Sequence, residues 1–337
     1  MKRDLYWDSL KFVLIFLVVL GHSVGSYLPS GGIDRPLYNF IYTFHMPLFI
    51  FVSGMFSHIN DREKYKSGIL RILETYAVFQ LFRAVPPILI NGNITLNSIT
   101  SVVISPRYTL WYLLSLILWR LIVYYLPDNV LNKYPIGIII VCFFVSLLGG
   151  FVPIGHTFSL QRTMAFLPFF FMGYYAKDIE VKKHIAKIPA FVAVGVLLSV
   201  FLIYYFVLNK SYSFVLYANV PYGSKNEYSL LFLFFARGIF LVFATLMGAM
   251  VMRLVPSNPS LSCWGSNTLF IYIYHSFIIT ALRFAIGHGF FPKNEWILIV
   301  LPVFIMMGLI LLSHIKLFKI FLNPISYCLK HKNSFIF

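Results

Sequence analysis

The stretch Trp7-Asp-Ser-Leu-Lys11-Phe-Val-Leu-Ile-Phe-Leu-Val-Val-Leu-Gly-His22-Ser23 decides the fold class. Between Lys11 and His22 it is wholly apolar, and with its flanks it reaches the ~20 residues that a helix needs to cross a ~30 Å hydrocarbon core. At a rise of ~1.5 Å per residue, Lys11 and His22 stand roughly 16 Å apart, about half that core. The interval is close to three helical turns, so both side chains leave the helix on much the same face. One face thus carries a cation near one end and an imidazole deep inside. A lysine in such a place ordinarily snorkels to the headgroups, and a single intramembrane histidine ordinarily bonds a neighbouring helix. Ionisable groups at this depth are also functional candidates by default, so the rest of the chain must decide.

Hydrophobic residues make up 59% of the 337 and charged ones 11%, far below the ~25% of soluble domains. With a mean hydropathy of +0.81, the composition predicts an all-α, polytopic membrane helical bundle. The net charge of +16 comes from basic residues scattered in short clusters between apolar runs, a pattern of topology signals with no nucleic-acid surface. Cys142, Cys263 and Cys328 are far apart and lack metal-ligand spacing, so neither a disulfide framework nor a metal site is expected. Lys2 and Arg3 precede the first apolar run as in a signal peptide, but no small-x-small cleavage site follows, and a retained helix is expected.

Hydropathy windows place ten spans at roughly residues 8–28, 36–57, 68–90, 108–126, 135–152, 161–176, 189–208, 228–252, 266–286 and 295–315. The sixth is short, and Arg71, Glu74, Arg83 and Pro86-Pro87 interrupt the third. On this layout fifteen Lys and Arg share the N-terminal side: Lys2, Arg3, Arg62, Lys64, Lys66, Lys133, Lys177, Lys182, Lys183, Lys187, Arg253, Lys316, Lys319, Lys330 and Lys332. Six fall opposite, at Arg35, Arg107, Arg162, Lys210, Lys225 and Lys293. The positive-inside rule then puts both termini in the cytoplasm. Lys11, Arg71, Arg83, Arg120, Arg237 and Arg283 remain within spans or at their edges, and those at membrane depth are expected to face the bundle interior. Glu74 could pair with Arg71 as an i,i+3 neighbour, but Arg83, Arg237 and Arg283 have no acid nearby in sequence. An anionic ligand entering the bundle is their natural complement.

His45, in the second span, runs antiparallel to His22 and reaches a similar depth in the outer half of the membrane. Met46-Pro47 loosens that helix, and Ser53-Gly54 permits close packing. Arg162 opens the sixth span, where it either anchors the helix or binds an acceptor hydroxyl or phosphate. His275 lies nearer mid-membrane beside Tyr272 and Tyr274, and Trp111 reads as an interface anchor.

Taken in order, Asp8-x-Leu-Lys11 with Val18-Val-Leu-Gly-His22, Phe44-His-Met-Pro-Leu-Phe-Ile-Phe-Val-Ser-Gly54, Leu110-Trp-Tyr-Leu-Leu-Ser-Leu116, Arg162 to Ala176 and Ser266 to His275 resemble the membrane acyltransferase-3 family over roughly residues 4–315. The likeness is to its stand-alone members related to fucose 4-O-acetylases. It implies one integral-membrane acyltransferase domain over 1–337, with the bundle at about 8–315 and a short cytoplasmic tail at 316–337. The family pairs an Arg, linked to acyl-CoA binding, with a catalytic His ten intervening residues later. Here the spacing is kept, His22 matches, and Lys11 replaces the Arg, keeping the charge but losing the bidentate fork. The implied catalytic candidates are His22 and His45. Lys11, Arg71 and Arg83 are candidates for holding the donor, and Arg162 and His275 for the acceptor.

The implied reaction moves an acetyl or other short acyl group from cytoplasmic acetyl-CoA (acyl-CoA) to a hydroxyl of a carbohydrate or lipid-linked glycan. His22 would act as general base or be acylated first. No permanently bound cofactor and no metal are expected, the lipid bilayer is the medium, and a homo-oligomer is left open. The expected location is a multi-pass position in the plasma membrane, a bacterial inner membrane. A transporter or exporter of an anionic or glycan substrate is the competing class, although no inverted halves or matching broken helices stand out.

Overall fold

Asp4 accepts the Tyr6 amide at 2.9 Å and caps the first helix, α1 (Leu5–Val24). The computed structural model describes residues 4–28, 32–90, 95–154, 157–176, 181–208, 213–224 and 228–331, and every regular element among them is helical. After α1 come nine further long helices: α2 (Asp34–Met55), α3 (Arg62–Ile90), α4 (Trp111–Tyr125), α5 (Pro135–Leu148), α6 (Leu160–Ala176), α7 (Ala190–Phe206), α8 (Leu230–Leu254), α9 (Thr268–Gly287) and α10 (Glu295–Leu312). One of these helices stands at each apolar segment found by hydropathy, with ends shifted by a few residues. Five are long and apolar enough to cross a membrane: α1, α4 with the 3₁₀ turn Tyr108–Leu110 before it, α8, α9 and α10. The outer faces of α5, α7 and α8 are apolar and exposed, as at Ile136, Val141, Phe191, Leu198, Phe235 and Ile239, which suits hydrocarbon rather than water. Of the basic residues used to orient the chain, Lys2, Arg3, Lys177, Lys210, Lys225 and Lys332 lie outside the described residues.

Helix α2 is the hub, packed against α1, α6, α7 and α8. Its seam with α6 is made of backbone. A Cβ on Gly54 would stand 2.0 Å from the Phe170 carbonyl oxygen, and one on Gly173 would stand 1.8 Å from that of Phe51. Only glycine allows such an approach, in keeping with the close packing read from Ser53-Gly54. The other ends of the same two helices both meet Tyr217, through Tyr42 of α2 and Arg162 of α6. The helices therefore run parallel, joined tightly at their C-terminal ends. Helix α1 is held the same way at its start, where Gly265 of the short helix Pro259–Gly265 sits against the Asp8 carbonyl.

The third apolar segment is one helix despite its charges and its two prolines. Asp61 caps it by accepting the Lys64 and Glu63 amides, and the Lys64 bond leads in holding its carboxyl below the usual range. Glu74 does not pair with Arg71. Its carboxylate instead accepts the amides of Ile325 and Ser326 and the Ser326 hydroxyl, capping the tail helix Pro324–His331. Arg237, which has no acid nearby in sequence, is buried and engaged by the protein. It donates to the Ser146 carbonyl at 3.3 Å and stacks 4.6 Å from the Tyr222 ring, a contact that ties α8 to α5.

Candidate active site

His22 projects from the last turns of α1 into a cavity of about 340 Å³. The cavity wall also carries His45 and Tyr42 from α2, Tyr108 and Trp111 at the entrance to α4, Arg162 from α6, and Tyr272 and Arg283 from α9. Residues from five helices thus converge on one imidazole. Two glycines allow it, Gly21 in α1 and Gly25 just after its end: Gly21 faces Tyr42 and Gly25 faces Tyr38, so the tyrosines of α2 pack directly on this backbone.

Two hydroxyls hold His22. Tyr42 lies 3.2 Å and Tyr108 3.3 Å from Nδ1. A phenol can give or take a hydrogen bond, so this pair fixes the ring while allowing either tautomer. The other two histidines are tied differently. Nδ1 of His45 lies 2.8 Å from the Ile41 carbonyl and Nδ1 of His275 lies 3.0 Å from that of Ile271. A carbonyl only accepts, so both Nδ1 atoms carry protons and the Nε2 of each neutral ring is a lone pair. His275 is fully buried, stacks on His22 at 5.5 Å between centroids, and has no hydrogen-bond partner for Nε2 among the described residues. His45 reaches the same cluster through Tyr42, its ring 4.6 Å away.

Three arginines surround this core. Arg162 stacks 4.8 Å from Trp111, and its Nε donates to the Tyr217 carbonyl at 3.3 Å. Arg83 donates to Ser276 at 2.7 Å and Thr280 at 3.2 Å, and Arg283 reaches Ser26 at 3.4 Å. The Tyr108 ring contacts both of the last two, 5.2 Å from Arg83 and 5.0 Å from Arg283.

The loop carrying Tyr108 is clamped by Gln80. Its amide donates to the Val102 and Ser105 carbonyls and accepts from the Arg107 amide, while the Tyr272 hydroxyl donates to the Thr109 carbonyl. These bonds hold Tyr108 at φ +52°, in the left-handed region that a bulky side chain avoids. The other described non-glycine residues with positive φ are Phe158, Ser159 and Ala218. Phe158 and Ser159 precede Arg162, and Ala218 follows Tyr217. Strain of this kind, of order 1–3 kcal/mol per residue, persists where surrounding contacts over-determine the backbone, and here it gathers at the cavity.

Among the residues singled out by sequence, the fold brings His22, His45, His275, Arg162 and Arg83 together. Lys11 stays apart, near the start of α1, with its ammonium 2.5 Å from Asp8 and 4.9 Å from the Phe56 ring. Arg71 is exposed on α3 and joins neither group. Trp111, expected as an interface anchor, lines the cavity and lies 4.8 Å from the Arg162 guanidinium. Sequence reasoning missed Tyr42, Tyr108 and Tyr217. The Tyr38/Tyr42 pair, four residues apart and so on one helix face, was the available signal for Tyr42. Cys142 is a buried free thiol and Cys263 an exposed one, and no group of three potential metal ligands forms among the described residues.

A segment of 60 residues is 45% identical to nodulation protein NolL of Mesorhizobium japonicum, covering 17% of this chain and 16% of that protein. No solved structure matches the chain. Residues 4–315 match the acyltransferase domain that defines the acyltransferase-3 family, and the chain belongs to that family.

Proposed function

We propose that this protein is a membrane O-acyltransferase that moves an acetyl or other short acyl group from cytoplasmic acyl-CoA to a hydroxyl of a cell-surface or lipid-linked carbohydrate. The observation that carries the reading is His22 itself: an accessible imidazole in a cavity, fixed by two tyrosine hydroxyls, on the same helix as a cation roughly 16 Å away. All ten long helices cross a bacterial plasma membrane in this reading, with both termini cytoplasmic. Lys11 then marks the inner end of α1, and the cavity lies in the outer half.

The CoA phosphates bind near Lys11, and the extended pantetheine arm brings the thioester to His22. With Nδ1–H donated to a tyrosine oxygen, Nε2 accepts the proton of the acceptor hydroxyl. The alkoxide oxygen bonds to the thioester carbonyl carbon, the C–S bond breaks, and the proton on His22 passes to the leaving thiolate. His45, which lines the cavity, stands beside this path as a further acceptor of hydrogen bonds from the substrate, while His275, fully buried and stacked on His22, supports that ring.

The test is release of CoA thiol by detergent-purified protein given acetyl-CoA and a panel of glycan acceptors, with wild type beside His22→Ala. Acceptor-dependent release that is lost in a folded His22→Ala protein is the expected result. Wild-type turnover from that variant would remove His22 from the chemistry. Folded wild-type protein that neither binds nor turns over acetyl-CoA would overturn the acyl-transfer reading.

A further inference from the structure

Two of the arginines have capacity that the protein does not use. Arg162 and Arg283 enter the cavity from α6 and α9, and each engages the protein through Nε alone. Their Nη groups have no hydrogen-bond partner, and neither side chain an ion pair, among the described residues. Each guanidinium plane lies near aromatic rings, Arg162 by Trp111 and Tyr217 and Arg283 by Tyr108. Contact with ring faces orients a guanidinium and leaves its forked edge open, and that fork matches the two oxygens of a carboxylate or phosphate. Two positive charges on one partly enclosed cavity, with no acid answering them, call for an anion from outside.

The position of the fork tells which substrate brings that anion. Lys11 lies roughly 16 Å from His22 toward the start of α1, whereas Arg283 contacts Ser26, four residues beyond His22 and ~6 Å further the opposite way. Arg162 lies at the start of α6, the end of the α2/α6 pair away from the glycine seam. If the donor's phosphates bind at Lys11 and its thioester lies at His22, an oxyanion beyond His22 belongs to the other substrate. A cavity of about 340 Å³ is at the small end of ligand sites, the scale of one sugar ring with an acid group rather than a nucleotide.

We infer that Arg162 and Arg283 form an oxyanion subsite for the acceptor, so that the preferred acceptor carries a carboxylate or phosphate close to the hydroxyl that is acylated. The inference rests on the acyl-transfer reading for its assignment to the acceptor, but the anion site can be tested without turnover.

The probes are methyl glucuronide, glucose 1-phosphate and methyl glucoside, used with the full chain in detergent. Affinity is measured by calorimetry without donor, and CoA thiol release is measured with acetyl-CoA. At least one anionic probe should be favoured about tenfold or more over the glucoside in both assays, the scale of a charge-assisted pair. Arg162→Gln should bring that ratio close to one, and Arg162→Lys, which keeps the charge without the fork, should keep part of it. The KM for acetyl-CoA should not follow the ratio.

Equal affinity for all three probes, or an Arg162→Gln defect confined to acetyl-CoA, overturns the subsite. Should Arg162→Gln fail to fold, Arg283→Gln and the wild-type selectivity carry the same decision. Selective, arginine-dependent binding by a protein that neither binds nor turns over acetyl-CoA would keep the anion site and defeat the acyl-transfer reading. Thiol release with all three probes alike would do the reverse.

Discussion

The Tyr108 hydroxyl lies 3.3 Å from Nδ1 of His22, and the ring that carries it lies 5.2 Å from the guanidinium of Arg83 and 5.0 Å from that of Arg283. The arrangement couples the entrance of α4 to the end of α1 through one hydrogen bond, and it is maintained against an unfavourable backbone angle at Tyr108. In the proposed reaction Tyr108 is a positioning residue, acting through His22.

Tyr108→Phe keeps the ring and removes the hydroxyl. Losing one such bond costs about 0.5–1.5 kcal/mol, so kcat should fall by up to about tenfold and by more than KM rises. Tyr42 still holds the imidazole in that variant, so the double variant with Tyr42→Phe should lose more than the two single effects combined. Steady-state kinetics of CoA thiol release checks both, and a Tyr108→Phe enzyme changed in KM alone would show that the hydroxyl meets the substrate instead.

Lys11 tests the donor end. Lys11→Arg should leave the KM for acetyl-CoA unchanged or lower, because the charge stays and a bidentate fork is gained. Lys11→Gln should raise it about tenfold, the loss of one charged contact to phosphate. A large defect in Lys11→Arg would mean that the ion pair with Asp8, and not a phosphate, explains this lysine.

The backbone seam gives a stability prediction. Gly173→Ala places a methyl 1.8 Å from the Phe51 carbonyl oxygen, which no rotamer can relieve, so α2 and α6 must separate. The cost should be at least the ~1–3 kcal/mol of ordinary overpacking, read as a lower thermal midpoint in detergent. Gly195→Ala on α7 is the control. A Cβ there meets nothing within 4 Å, and that variant should melt at or slightly above wild type.

Glu74 predicts the behaviour of the tail. Glu74→Gln replaces a charged cap of the Pro324–His331 helix with a neutral one, and loss of such a cap costs about 0.5–2 kcal/mol. Amide hydrogen exchange at Ile325 and Ser326 should quicken while the bundle helices stay protected. Unchanged exchange at those two amides would show that the tail is held by its other contacts.

How much of this was legible in the sequence depends on what each residue's role leaves as a signal. The helices were, because a membrane bundle writes itself as long apolar runs. His22, His45 and His275 stood out because an imidazole within such a run is rare, and Arg162 and Arg83 for the same reason. Tyr108 left no mark: its role depends on the sign of φ and on a clamp from Gln80, and neither follows a helical period. The contact of Trp111 with Arg162 was not legible, because an indole at a helix entrance looks the same whether it faces headgroups or supports a guanidinium. Glu74 was paired with its neighbour Arg71 because sequence shows only local partners, while its real ones are the amides of Ile325 and Ser326.

The glycine seam between α2 and α6 acts as a fulcrum. Carbonyl contact through Gly54 and Gly173 fixes the spacing of the two helices at one end, while toward the other Tyr42 and Arg162 both contact Tyr217, which belongs to neither helix. Such a pair can splay only at its free ends, as tongs do. If the acyl-transfer reading holds, room for a bulkier acceptor is therefore gained around Arg162, and substituents that point toward the seam meet a wall that cannot give.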